Sequence, residues 1–250
     1  MISKNRIKWL KSLQMKKYRQ AEGVFVAEGP KLVSELLNGG FECVYAAVSN
    51  DSCLLPLDPK MYDHVTDDEL KRVSTVETPQ GVLAVFRQPH YDIDALKVMK
   101  EGLCLALDEV QNPGNLGTIV RLADWFGIHD VFCSQGCADL YNPKTVQATM
   151  GALAHVRVHY YNIEGLLKQA QKEGVIVYGT FLDGENIYEK RLERTGVIVM
   201  GNEGRGVSAE VERYVTERLT IPSWSDSHVE SLNVAIATAV VCAEFRRQAL

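Results

Sequence analysis

No apolar run in this sequence is long enough to cross a bilayer. The most apolar stretch, VAIATAVVCA at 234–243, covers about half of the ~20 residues a span requires. There is no charged start followed by an apolar segment and a small-residue cleavage site, so secretion is not expected. The phosphate loop G-x-x-x-x-G-K-[ST] is missing, as are H-E-x-x-H and G-x-S-x-G. A dinucleotide fingerprint needs G-x-G-x-x-G after a strand, with an acidic residue about 20 positions on. GNEGRG at 201–206 follows a strand-like run, but its glycines fall as G-x-x-G-x-G and Ile221 stands where the acid should be. These absences exclude the common nucleotide-hydrolase, nicotinamide-dependent, serine-hydrolase and zinc-protease readings.

What is present is ordinary in bulk and uneven in arrangement. With 250 residues, 46% hydrophobic and 24% charged, the chain can build one large or two small domains, each with its own core. Six cysteines, at 43, 53, 104, 133, 137 and 242, are scattered and lie largely within apolar runs, which suits free thiols in a reducing cytoplasm. His129, Cys133 and Cys137 recur at four-residue steps, but DVFCSQG reads as strand and turn. The three would share no helix face, and no metal is expected. Net charge is −5, yet residues 1–20 hold seven of the 27 Lys/Arg and none of the 32 Asp/Glu. Lys4, Arg6, Lys8, Lys11, Lys16, Lys17 and Arg19 form a basic arm suited to a phosphate backbone, with Trp9 and Tyr18 available to stack. The plainer reading is a surface helix on Ile7, Leu10 and Leu13 whose lysines face water. A transit peptide is a third reading, disfavoured because the segment is Lys-rich rather than Ser/Arg-rich.

Periodicity gives an α/β protein. VFVAEG (24–29), CVYAAV (43–48) and GVLAVFR (81–87) read as strands. KLVSELLNGG (31–40) reads as a helix closed by glycine, and TDDELKRVS (66–74) as a helix with a Thr cap and an acidic first turn. QPHYDIDALKVMKEG (88–102) loses the pattern and reads as a linker. Strand candidates then recur at 103–108, 130–134, 156–160, 175–181, 196–201 and 219–223, mostly separated by helical patterns. That alternation implies a largely parallel sheet covered on both faces, with ligands at the carboxyl ends of its strands. The expected domains are 1–88, a linker at 89–101, and 102–250.

Three loops at expected strand ends carry candidate chemistry. In NPGNLGTIVRLADWFGI (112–128), Asn115 reads as the N-cap and Ile119, Leu122, Ala123 and Phe126 as the apolar face. Arg121 then lies about 160–200° from the middle of that face and points toward solvent, a partner chain or a cleft. In VIVMGNEGRGVSAEVERYV (197–215), three glycines allow close backbone approach to a ligand. Glu203 there could accept hydrogen bonds or hold the arginine of the first loop. In IPSWSDSHVESLNVAIATAVVCAEF (221–245), Ser231 reads as the cap of an Ala/Val-rich helix with Asn233 in its first turn. That helix is apolar nearly all round, as if buried. Each loop alone also reads as plain structure: a solvated arginine, a glycine-rich turn, a cap.

Together, in order and spacing, the three stretches resemble the motifs of the SpoU (TrmH-like) family of RNA 2′-O-ribose methyltransferases, of the SPOUT class. The first resembles N-x-G-x-x-x-R (Asn115, Gly117, Arg121), the second G-N-E-G-x-G (201–206), and the third I-P followed by S-L-N-V (Ile221–Pro222 and 231–234). GCADLYNPKTVQATMGAL (136–153) is similar to the family between its first two motifs. Residues 1–88 resemble the family's amino-terminal substrate-binding domain, itself similar to a ribosomal-protein RNA-binding fold. The resemblance implies a parallel-sheet domain with a carboxyl-terminal trefoil knot, a homodimer, S-adenosylmethionine as methyl donor and rRNA or tRNA as partner. Knots lie outside the usual connection rules and could not be read from periodicity. Position by position, it implies cofactor contacts at Thr180, Gly201, Glu203, Gly204, Ile221 and Leu232. It implies a catalytic set of Arg121, Asn115, Glu203, Ser231 and Asn233. The departure is SWSDSHVE at 223–230, where many relatives have a short Met/Gly loop; Trp224, Asp226 and His228 add bulk near the expected cofactor.

The family model makes Arg121 the base. Arginine stays protonated, so binding a substrate phosphate and polarising the 2′-hydroxyl is the favoured role. Two other readings remain at this point: an RNA-binding member without catalysis, which five filled catalytic positions disfavour, and a base-directed methyltransferase, which N-x-G-x-x-x-R disfavours.

Overall fold

The computed structural model describes residues 2–49, 61–225 and 231–250. The chain divides into two compact units, residues 1–90 with 139–155, and residues 91–138 with 156–250. The segment 139–155 therefore packs with the first unit, although its sequence position lies within the range expected for the second.

The first unit is built on a four-stranded sheet in the order β1 (Val24–Glu28), β4 (Val82–Arg87), β2 (Cys43–Val48), β3 (Tyr62–His64). The first three pair antiparallel; β3, too short and polar to signal itself in sequence, runs parallel to β2. Helix α4 (Asp67–Val73) starts at a complete capping box between Thr66 and Glu69, which satisfies two otherwise unpaired N–H groups. Helices α1 (Lys4–Ser12) and α2 (Lys16–Glu22) carry the basic arm. The arm is not a tail: Ile2, Leu10 and Leu13 are buried in one cluster with Val24, Val26, Tyr45, Leu83 and Val85. Lys4, Arg6, Lys8, Lys11, Lys16 and Lys17 remain exposed, and the Arg6 guanidinium lies 4.4 Å from the Tyr45 ring centroid.

Arg19 corrects its sequence reading as a phosphate contact. It is 2% exposed, donating to Asp139 Oδ2 at 2.5 Å and to the carbonyls of Leu13 and Gln14 at 2.8 Å each. Its positive charge holds the inserted segment to the unit's own helices. Helix α3 (Pro30–Asn38) meets the same segment closely enough that a Cβ on Gly39 would lie 2.8 Å from the Ala154 side chain. The Tyr141 ring lies 4.9 Å from that of Phe25, centroid to centroid, and helix α7 (Pro143–Thr149) completes the insertion.

In the second unit six strands pair in parallel, in the order β10 (Glu217–Thr220), β8 (Val177–Asn186), β9 (Gly196–Met200), β5 (Leu103–Leu107), β6 (Asp130–Ser134), β7 (Arg157–Tyr161). Composition follows position. Central β5 (LCLAL) and β9 (GVIVM) are buried at every residue, whereas edge strands β7 and β10 carry Arg, His and Glu. β8 runs on past the expected end at 181, and its pairing with β10 shifts register between Arg218 and Leu219. The supposed linker contains helix α5 (Ala95–Glu101), capped by Asp94, whose Met99 enters the core with Phe132, Val199 and Leu167 of helix α8 (Ile163–Lys172).

Two helix starts also differ from their sequence readings. Helix α6 (Pro113–Trp125) is capped by Asn112, which accepts from the N–H groups of Gly114 and Asn115; Asn115 is inside the first turn. Pro113 sits at the first helical position, where its missing N–H loses nothing. The buried face of α6 is Leu116, Ile119, Val120 and Ala123, with Leu122 and Phe126 only half-buried. Helix α10 (Val234–Ala249) is capped by Asn233, not Ser231. It buries Val234, Thr238, Val241, Cys242 and Phe245, and shows solvent an apolar side rather than being covered all round.

Two substitutions test these assignments. Arg19→Met removes the cation that faces Asp139 Oδ2 and the donors to two carbonyls in a largely buried site, and is expected to lower stability by about 3 kcal/mol in urea unfolding. Asn112→Ala removes the α6 cap and is expected to lower it by about 1 kcal/mol, read the same way.

Candidate active site

Parallel pairing of β5 with β9 sets Leu107 opposite Met200, so the loops leaving these two strands emerge side by side. The first loop runs into α6. The second is GNEGRG, folded on itself by reciprocal backbone hydrogen bonds between Asn202 and Gly206 at 2.8 and 2.9 Å. Asn202 Oδ1 accepts from the N–H groups of Gly204 and Arg205. This closure explains Gly201: a Cβ there would fall 2.2 Å from the Gly206 carbonyl carbon.

Glu203 leaves the tip of that loop and reaches the start of α6. Its carboxylate accepts from Asn112 N–H at 3.1 Å, Gln111 N–H at 3.3 Å and Asn115 Nδ2 at 3.0 Å. Partial burial pushes this carboxyl up, but those hydrogen bonds outweigh it and hold the group below the usual glutamate range. A carboxylate at a helix amino terminus is also favoured by the helix dipole. The amide of Asn115 continues the chain, with its Oδ1 accepting from Asn233 Nδ2 at 3.1 Å. Asn233 in turn caps α10, accepting from Ala235 and Ile236 N–H. Glu203, Asn115 and Asn233, expected from three separate motifs, thus form one continuous hydrogen-bonded row.

The other two expected members stand apart from this row. Ser231 is exposed and makes no hydrogen bond among the described residues. Arg121 is exposed on α6, six residues and about 9 Å of helix rise beyond Asn115. It makes no ion pair or hydrogen bond among the described residues, so Glu203 does not hold it.

Of the expected cofactor residues, Gly201, Glu203 and Gly204 belong to the loop after β9, and Thr180 lies on β8 beside the end of β9. Thr180 donates to Val199 O at 3.2 Å, beside Met200. Beyond Gly204 a Cβ would meet nothing nearer than 3.8 Å, and beyond Gly206 nothing within 4 Å, so the outer face of the loop is open to a ligand. Half-buried Ile221 and half-exposed Leu232 add apolar surface on the last loop. A loop face left open by glycine, with apolar side chains on the last loop, suits a nucleoside, while the N–H groups of Gly204, Arg205 and Gly206 are already bonded to Asn202. Trp224 is 94% exposed; Asp226 and His228 lie outside the described residues.

Three residues of this region were not singled out from sequence. Asn112 had a signal, an Asn-Pro step that commonly opens a helix. Buried Asp108 had none; it accepts from Ser208 N–H at 2.8 Å and anchors the far end of the GNEGRG loop. Glu109 had none either. It adopts a left-handed φ of 57°, accepts through its carbonyl from Asn202 Nδ2 at 2.8 Å, donates its N–H to Ser134 Oγ at 2.9 Å and pairs with Arg205.

Residues 102–243 match the SpoU rRNA methylase family, and residues 4–84 match the MRM3-like substrate binding domain. The chain is 32% identical over 245 residues to the 23S rRNA (guanosine(2553)-2′-O)-methyltransferase RlmP of Bacillus subtilis, covering 96% of each. Its fold is similar to that of a putative RNA methyltransferase of the TrmH family from Porphyromonas gingivalis, at TM-score 0.90 and 44% identity over 99% of each chain. It is also similar to an AdoMet-bound rRNA methyltransferase from Sinorhizobium meliloti, at TM-score 0.85 and 27% identity over 100% of this chain and 98% of that one. The chain therefore belongs to the SpoU rRNA methylase family, RNA 2′-O-ribose methyltransferases that use S-adenosylmethionine.

Proposed function

We propose that this enzyme methylates a ribose 2′-hydroxyl of ribosomal RNA, using a site shared between two copies of the chain. The observation that carries it is the split between a closed Glu203–Asn115–Asn233 row and an Arg121 with no partner among the described residues of its own chain. Helices α6 and α10 pack on each other and present Trp125 (83% exposed) and Ile236 (55%) to solvent, with Leu232 (50%) exposed just before α10. Exposed large apolar groups on adjoining helices favour a second copy there, and such a copy would bring its own Arg121 to this row. Ribosomal rather than transfer RNA is favoured by the substrate named for the Bacillus subtilis relative. We further read the carboxyl-terminal segment as threaded into the trefoil knot that the family resemblance implies. A reducing cytoplasm suits the enzyme, the five cysteines described being free.

S-adenosylmethionine supplies an electrophilic sulfonium methyl. The residues to hold it are Gly201, Glu203, Gly204, Ile221, Leu232 and Thr180. Asn115, held by Glu203, and Asn233, held by Asn115, would orient the ribose so that its 2′-oxygen faces the donor. Ser231, exposed two residues before Asn233, would bond the same sugar. A guanidinium offers donors and no acceptor, so the role of Arg121 is to bind anionic and hydroxyl oxygens. It binds the adjoining phosphate and polarises the hydroxyl, whose proton leaves to water or to a phosphate oxygen. The exposed cations Lys4, Arg6, Lys8, Lys11, Lys16 and Lys17 collect the RNA on the first unit.

Arg121→Ala is expected to lower turnover by about 100-fold or more while S-adenosylmethionine affinity, measured by calorimetry, stays near wild type; retained turnover would remove Arg121 from the mechanism. A substrate carrying 2′-deoxyribose at the target should not be methylated. Because the amino-terminal helices belong to a core, the test of the basic arm is charge reversal rather than deletion. Lys4→Glu with Lys8→Glu is expected to weaken RNA binding and to reduce the slope of log K against log salt by about 1 for each phosphate no longer neutralised.

A further inference from the structure

The end of the second unit opposite the active-site loops contains a recess of about 400 Å³ lined by Arg157, Arg194, Arg246, His129, Asp130 and Glu101 among others. It lies where β6 and β7 begin and α6 ends, about 20 Å along the 13 residues of α6 from its amino terminus. Nothing in the methyl-transfer site reaches it.

Each arginine here is fixed through part of its guanidinium and keeps donors free. Arg157 grips buried Asp130 through Nε and Nη2 at 2.8 and 2.6 Å, leaving Nη1. Asp130 is also met by His159 Nε2 at 2.9 Å, so its carboxylate is fully engaged. Arg246 donates Nε to Phe126 O at 2.6 Å and Nη2 to Gly127 O at 3.0 Å, again leaving Nη1. This arginine also covers the carbonyls at the α6 carboxyl end that would otherwise repel an anion there. Among the described residues Arg194 is held only by Nη2 on Ala249 O at 2.6 Å, leaving Nε and Nη1. The exposed side chain of His129 makes no hydrogen bond among the described residues, while its carbonyl accepts from Arg157 N–H. Side chains anchored in this way lose little rotamer freedom when a ligand arrives, and a guanidinium's planar fork suits oxyanions.

We propose that this recess is a second binding site, for a phosphate group. Three arginines face two carboxylates, a formal charge of +1 from these five groups. That balance fits one phosphodiester, a monoanion, better than a phosphate monoester dianion. The ligand of that chemistry is a backbone phosphate of the substrate RNA remote from the methylated nucleotide, and a free phosphate is the other source. The RNA assignment rests on the methyltransferase reading; the phosphate site does not.

The test uses the full chain and two probes, inorganic phosphate and a short single-stranded RNA, followed by NMR of the arginine Nε–H groups. The variant is Arg194→Glu with His129→Glu, which spares Arg157 with its buried partner and Arg246 with its helix end. In the wild type both probes should move the Arg194 and Arg157 signals, and in the variant neither should move that of Arg157. The variant should also bind RNA about tenfold more weakly, with a salt slope smaller by about 1, and S-adenosylmethionine as well as the wild type does. Shifts from inorganic phosphate with none from RNA would keep the site and assign it to free phosphate. Silence from both probes, or an Arg157 shift unchanged in the variant, overturns the proposal. The methyltransferase reading fails separately, by absence of S-adenosylmethionine binding or of methyl transfer, with the phosphate response intact.

Discussion

The pairing of β5 with β9 is the constraint on which the rest of the candidate site depends. These strands lie about ninety residues apart in sequence yet are direct neighbours, in register from Leu103–Gly196 to Leu107–Met200. Both are buried along their whole length, so the pairing is enforced by the most apolar part of the second unit. Given that register, Glu203 can span from one loop to the other and take three N–H donors from the opening of α6. A slip of one residue would turn each side chain to the other face of the sheet and move both loops together.

From that bridge the polar organisation spreads without a gap. Asn115 passes the connection to Asn233, which is both a member of the row and the cap of α10. Asp108, Glu109 and Asn202 hold the same loops from beneath. Two of the expected catalytic positions are therefore also structural: Asn233 starts a helix, and Glu203 fastens one loop to another. Changing either alters the shape of the site as well as its chemistry, whereas Arg121 can be changed with no structural partner to disturb among the described residues.

Charge is used in opposite ways at two places. Arg19 is enclosed, and its cation binds an inserted segment to the helices that precede it. At the start of β6 and β7 the arginines are anchored by one side and open on the other. The distinction is one of remaining donors: Arg19 has its Nη atoms taken and its Nε buried without a partner.

The alternation of strands and helices, the parallel sheet and the glycine-rich loops at strand ends were legible before folding was considered; motif spacing also put forward Asn115, Glu203 and Asn233, which the fold joins by hydrogen bonds, and Arg121, which stands outside that row. Each is a local property, written in apolar periodicity or motif spacing. Asn115 and Ser231 were misread as caps because several Asn and Ser residues near each helix start can accept the same N–H groups, and only the folded backbone selects one. Arg19 was placed among solvent-facing cations because its partner, Asp139, is 120 residues away. The segment 139–155 was given to the second unit because chain order cannot show which core a segment joins. Folding in three dimensions settled those matters, and also which side chains share a face of the molecule. Burial and hydrogen-bond partners are set by distant residues brought together, and one-dimensional spacing carries no record of that approach.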